Sequence, residues 1–375
     1  MVNWVNTWAA SPMACPVKSG EPSAGDSTYR NVMRLSIGGK GLRVQLTNEF
    51  GAAQLTVGSA HIGIDSGGGA IKPGTDHELK IGGRPSVTIP ANGLMLSDEV
   101  SMDVPALSSL AVTLYVTDQE IAARSCHLFS SSTNYVTKGD AAKALKINNA
   151  RTTDSWNFVK GIEVRADKNA FAVVTLGDSI TDGAASTKNA NHRWPDFLAE
   201  RLQKSHNTEQ VAVLNEGIVG NRILRSSEYG QSAIARFDRD VLAQTGARYL
   251  ILFEGINDIN WADPDEDASA DEVILGISQL VMRAHAHGLT VFAATLTPTG
   301  GADGFPEKND PIRTAINHWY QTSGVVDGVI DFDKVVRDPS KPAALNPAYD
   351  SGDHLHPNDA GYKAMADSVD IRLFQ

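Results

Sequence analysis

The spacing of hydrophobic and polar positions changes once along the chain, near residues 150 to 170. Before that point apolar and polar residues alternate in short stretches, as with Leu42, Val44 and Leu46 in GLRVQLTN and Val112, Leu114 and Val116 in LAVTLYVT. Successive side chains of a strand point to opposite faces, so a period of two predicts strands with one buried face. Gly and Pro punctuate these stretches, as in IDSGGGAIKPG and IPANG. The pattern predicts an all-β sandwich or jelly roll over residues 1–165.

From Phe171 onward, continuous apolar runs alternate with amphipathic segments. FAVVTLG, VAVLNEG, RYLILFEG, LTVFAATLTP and VDGVIDF read as buried strands. Between them, DEVILGISQLVMRAHAHG places Val273, Ile277, Leu280, Val281 and Ala284 at helical spacing, with Gly288 as a stop. Strict alternation of strand and helix predicts an α/β unit over 166–375, with a parallel sheet between two helical layers. In such sheets ligands bind beyond the carboxyl ends of the strands.

The unusual polar residues fall at those ends. FAVVTLG runs into Asp178, Ser179 and Ile180; VAVLNEG into Ile218, Val219, Gly220 and Asn221; RYLILFEG into Ile256, Asn257 and Asp258. Asp353 and His356 stand three residues apart in DHLHPNDAGY, ahead of a segment that reads as a final helix. Acyl transfer needs an attacking oxygen, a base, a group that orients the base, and donors for the oxyanion. Ser179 supplies the oxygen and His356 the base, because an imidazole near neutrality both accepts and returns a proton. Asp353 orients the ring, and the N–H groups of Ser179 and Gly220 with the Asn257 amide serve the oxyanion. Asp178 and Ile256 are expected beside the substrate. Taken singly, each piece reads more simply: Asp178 and Ser179 as a helix cap, Gly217 and Gly220 as turn residues, Asn257 and Asp258 as a loop. His354 competes with His356 as base. The joint occurrence favours a catalytic set.

GDSITDG at 177–183, NEGIVGN at 215–221, GIND at 255–258 and DHLHPN at 353–358 resemble blocks one, two, three and five of the SGNH (GDSL-type) hydrolases, in that order. The resemblance covers 171–375. It implies a flavodoxin-like fold, metal-free hydrolysis of esters or thioesters, Ser179, Gly220, Asn257 and His356 as the four residues of the family's name, and Asp353 as the orienting acid. TWAASP at 7–12 and LTNEFG at 46–51 resemble two-domain bacterial members known generally as lipases or acylhydrolases. His354 departs from the commonest pattern, which has Gly there. Short acyl groups, acetyl first, and acetylated saccharides are the substrates that this analogy suggests.

Composition narrows the alternatives. A net charge of -11 repels phosphate backbones and anionic lipid, so nucleic acid is not an expected partner. No apolar run approaches the roughly 20 residues of a membrane span, and residues 1–11 lack a secretory signal's basic start and apolar middle. The expected location is secreted or periplasmic if a signal peptide has been removed, and cytoplasmic otherwise. Cys15 and Cys126 are the only cysteines, and pairing or two buried thiols are both open. Neither CxxC nor HExxH occurs, so no metal and no cofactor is expected. A calcium loop at Asp263, Asp265 and Asp267 would need Gly and Glu where Ala268 and Ile274 stand. That run reads as a solvated acidic loop, placed to hang over the site mouth and disfavour anionic substrates. The classical α/β-hydrolase elbow needs a second Gly where Thr181 stands. From another class comes a carbohydrate-binding protein with a non-catalytic hydrolase-like half, using Trp4, Trp8, Tyr29 or Tyr135 as sugar platforms. A lysophospholipase or thioesterase is the remaining enzymatic alternative. Oligomeric state is not legible.

Overall fold

The computed structural model describes residues 2–16, 25–260 and 267–375. Two units emerge, Met1–Ala170 and Phe171–Gln375. The division falls a few residues past the expected 165, because the strand Val159–Ala166 pairs with the first strand, Asn3–Ala9, up to Ala166.

The N-terminal unit is β-rich, with antiparallel sheets of four, three and seven strands. In the largest, Ser109–Val116 is flanked by Ser27–Arg34 and Leu55–Ile64. The expectation of one buried face fails here, since Leu110, Ala111, Val112, Thr113 and Leu114 are all buried. Arg30, itself buried, ties two further segments to this sheet. It donates from Nε to Thr113 Oγ1 at 2.8 Å, and from its Nη atoms to the carbonyls of Gly69 at 2.7 Å and Ala144 at 2.5 Å. Burial lowers its pKa to about 10, which still leaves it charged at neutral pH.

Cys15 and Cys126 lie on adjacent antiparallel strands and are joined in a disulfide, 111 residues apart in sequence. Closing a loop of that length stabilises the fold by about 2–5 kcal/mol. Trp8 packs edge-on against Trp156 at 4.9 Å and Tyr29 against Phe158 at 5.3 Å, so both aromatics belong to the core. Neither Trp8 nor Tyr29 is a sugar platform. Trp4 carries the Arg43 guanidinium 4.0 Å above its ring, and the Tyr135 ring packs on Gly69.

In the second unit, five parallel strands form one sheet: β1 (Phe171–Gly177), β2 (Val211–Gly217), β3 (Ala247–Phe253), β4 (Thr290–Ala294) and β5 (Gly328–Ile330). Their spatial order is β2-β1-β3-β4-β5. This is the flavodoxin-like order, whose connections reverse direction at β1 and open a crevice there. The longer helices are α1 (Trp194–Lys204), α2 (Ala270–Ala286), α3 (Asp310–Thr322) and α4 (Asp359–Ser368). Helix α1 packs with α4, and α2 with α3. Right-handed crossovers place α1 on the face opposite α2 and α3. Helix α2 buries Val273, Ile277, Leu280, Val281 and Ala284 as the periodicity predicts. Ser269 and Glu272 close a capping box at its start, and Gly288, at φ +77°, lets the chain leave it.

Candidate active site

Strand β1 ends at Gly177, and the chain turns at once into a single helical turn, Ser179–Asp182. Asp178 caps this turn, its carboxylate accepting from Ile180 N at 2.9 Å. Ser179 therefore heads a helix, and its N–H is among those that an α-helix leaves unpaired. Its carbonyl accepts from Gly183 and Ala184, and Ala184 O in turn accepts from the Tyr362 hydroxyl on α4 at 2.6 Å. Asp359, the first residue of α4, accepts from Thr187 N at 2.8 Å and pairs with His192 at 2.6 Å. Through these contacts, the segment before α4 is docked beside the Ser179 turn.

That segment brings His356 to Ser179 across 177 residues of sequence. His356 Nε2 lies 2.8 Å from Ser179 Oγ, and His356 Nδ1 lies 2.6 Å from Asp353 Oδ2. The other oxygen of Asp353 accepts the backbone N–H groups of Leu355 at 3.0 Å and His356 at 2.8 Å. Burial alone would raise the Asp353 carboxyl, but those amides and the imidazole outweigh it and hold its pKa at about 2. As a carboxylate, Asp353 accepts from Nδ1–H and leaves Nε2 free to accept from the serine hydroxyl.

His354, the competing base, points elsewhere. Its Nδ1 is 2.6 Å from Asp350 Oδ2, its side chain is 54% exposed, and its φ is +64°. A left-handed backbone is strained for histidine and free for glycine. We expect His354→Gly to leave kcat unchanged; a loss on the scale of His356→Ala would transfer the base assignment to His354.

The candidate oxyanion donors come from three strand ends. Gly220 sits at φ +70°, and a Cβ there would lie 2.8 Å from the Tyr229 ring, so both backbone and packing require glycine. Its loop is fixed by Asp182, whose carboxylate accepts from Val219 N at 3.1 Å, and by Asn215, which bonds Gly217 N at 2.9 Å and Thr181 O at 2.7 Å. Asn257 donates one N–H of its amide to Asn221 O at 2.9 Å. An amide nitrogen carries two hydrogens, so the second remains for a ligand.

Beneath these loops lies a buried set of charges that sequence reading missed. Asp258 accepts from Ile223 N at 2.7 Å and Leu224 N at 2.9 Å, tying the Asn257 loop to the Gly220 loop. Burial pushes Asp258 up to about 6 against those bonds, and pushes Asp178 up to about 7. Glu254, fully buried and 3.6 Å from Arg236, is raised far above the usual carboxylate range, by burial first and then by neighbouring Asp178. The only sequence signal was a run of acidic residues at strand ends, which reads equally well as caps.

Two expectations need correction. Asp178 is 1% exposed and spends its carboxylate on a helix cap, and Ile256 is 2% exposed in the core, so neither is placed to bind substrate. Of the acidic run, 263–266 lie outside the described residues, so the expected overhang falls there; Asp267 accepts from Asn309 at 3.1 Å. Among the described residues, no group of three or more His, Cys, Asp or Glu is arranged to hold a metal, and no helix is long and apolar enough to cross a membrane.

A parallel sheet in this order, with serine, glycine, asparagine and histidine at its carboxyl rim, defines a class of serine hydrolases. The chain belongs to the GDSL-like Lipase/Acylhydrolase family, whose profile matches residues 175–364. It is a serine hydrolase of the SGNH type. Solved structures similar to it include a GDSL-like lipase from Bacteroides thetaiotaomicron, 21% identical, covering 52% of this chain and 84% of that one at a TM-score of 0.39. An acetyl xylan esterase is 22% identical, covering 53% and 97% at a TM-score of 0.42. A catalytic mutant of an acetylxylan esterase from Geobacillus stearothermophilus is 19% identical, covering 53% and 91% at 0.41. No curated protein matches the chain significantly.

Proposed function

We propose that the chain hydrolyses carboxylic esters of short acyl groups, acetyl first, through an acyl-enzyme on Ser179. The observation that carries this reading is the 2.8 Å approach of His356 Nε2 to Ser179 Oγ, with Asp353 behind the ring at 2.6 Å. His356 takes the hydroxyl proton as Oγ attacks the carbonyl carbon. Negative charge moves onto the carbonyl oxygen, where the N–H groups of Ser179 and Gly220 and the free N–H of Asn257 receive it. Collapse returns the proton from His356 to the leaving alkoxide and leaves Ser179 acylated. Water, deprotonated by His356, then repeats the sequence and frees the acid. Asp353 stays ionised throughout, because a carboxyl held at about 2 does not take up the imidazole's proton near neutrality.

The short acyl group and an acetylated saccharide as the alcohol rest on the family analogy. Nitrophenyl esters from acetyl to palmitoyl, run beside an acetylated polysaccharide, a lysophospholipid and an acyl thioester, test them. We expect kcat/KM to be highest at acetyl and to fall as the chain lengthens. A maximum at long chains, or on the lysophospholipid or thioester, would replace the acetylesterase reading with that activity. A carbohydrate-binding role without catalysis loses support from the burial of Trp8 and Tyr29. It predicts no labelling of Ser179 by a fluorophosphonate, whereas the hydrolase reading predicts a covalent adduct with loss of fluoride.

A further inference from the structure

We propose that Arg236 is the positioning residue that sets the three oxyanion donors in one frame; this rests on the assignment of Ser179, Gly220 and Asn257 given above. Arg236 lies on the short helix Ala233–Phe237 and is fully buried. Three of its acceptors lie on or just past two different strand ends. Nη2 donates to Gly177 O at 3.0 Å, Nη1 to Glu216 O at 2.7 Å, and Nε to Asn221 Oδ1 at 3.0 Å.

Each acceptor stands next to a donor. Gly177 closes β1, two residues before Ser179. Glu216 is at the end of β2, four residues before Gly220, and Asn221 follows Gly220 directly. The backbone carbonyl of Asn221 also orients Asn257, accepting its amide at 2.9 Å. Arg236 thus holds the Ser179 and Gly220 segments directly and Asn257 through Asn221. In this parallel pair Leu176 and Gly177 lie opposite Glu216 and Gly217, where the pairing ends. Beyond that point Ile218 N still bonds Gly177 O at 3.1 Å, and Asp182 and Asn215 tie the Gly220 loop to the Ser179 turn. Arg236 adds a rigid planar group that spans both segments at once, whereas a lysine offers one mobile point. Asn221 is locked on its other side as well, donating to Gln231 O at 2.9 Å. Asp240 at 3.4 Å and Glu254 at 3.6 Å flank the guanidinium. Arg236 is fully buried, so it acts through the groups it holds rather than on substrate.

Arg236→Lys tests this with nitrophenyl acetate. Misplacing donors by about 1 Å costs on the order of 10²-fold, so kcat should fall about that far while KM and the pH midpoint of kcat/KM stay put. Combined with Asn257→Ala, the same change should cost less than it does alone, because one of the three donors it positions is already gone. A merely structural role would instead lower the melting temperature, leave kcat of the folded protein intact, and be additive with Asn257→Ala within about twofold. Either unchanged kcat or such additivity overturns the proposal. If Arg236→Lys does not fold, Asn221→Ala removes the acceptor of Nε and carries the same expectations, and a folded Asn221→Ala enzyme with unchanged kcat overturns it. Ser179→Ala is run alongside. Activity retained there overturns the underlying assignment, a result distinct from full loss in Ser179→Ala with no effect at Arg236.

Discussion

Ser179→Ala and His356→Ala should each lower kcat by about 10⁴ to 10⁶, with melting temperatures close to that of the parent. Ser179 loses only an oxygen in the first change, and the helical turn keeps its Asp178 cap. His356→Ala removes the partner 2.8 Å from Oγ and leaves a hydroxyl that nothing deprotonates. Because nucleophile and base act as one unit, the double variant should be no slower than the worse single one. Nitrophenyl ester turnover, with fluorophosphonate labelling as a second readout, measures both. A loss below about 10-fold in either would take that residue out of the catalytic set.

Asn257→Ala should lower kcat by about 10² to 10³, roughly 3 kcal/mol, with little change in KM. Charge on the carbonyl oxygen develops mainly after the substrate is bound, so a donor aimed at it acts on the transition state. The variant also strips Asn221 O of its 2.9 Å partner, so stability should fall by about 1 kcal/mol. Steady-state kinetics separate the two effects, because destabilisation alone leaves kcat per folded molecule intact. A loss under about fivefold would remove Asn257 from the oxyanion site.

The α/β half of the chain was legible because its strands are buried on both faces and read as unbroken apolar runs, each ending in a polar turn. FAVVTLG and VAVLNEG coincide with β1 and β2 residue for residue. The N-terminal half was legible as strands but not as sheets, since a period of two says which face is apolar and nothing of what covers the other. Leu110 to Leu114 show this, all of them buried, with Arg30 tying further segments to the sheet from another strand. The structure brings Ser179, Asp353 and His356 together, as the motif order implied. It spends the Asp178 carboxylate on a helix cap and buries Ile256, because adjacency in a motif does not fix where a side chain points. Arg236 was missed for a related reason. Nothing in the spacing of SAIARF singles out its arginine, and only the fold reveals that Arg236 is buried and bonded to Gly177 and Glu216.

Docking of α4 through Tyr362 and Asp359 has a consequence for biosynthesis. Ser179 is made 177 residues ahead of His356. At about 5–20 residues per second, ribosomes need roughly 9 to 35 s to cover that stretch. Over that interval the nascent chain carries Ser179 without His356. The two side chains can meet only after the segment ahead of α4 has emerged.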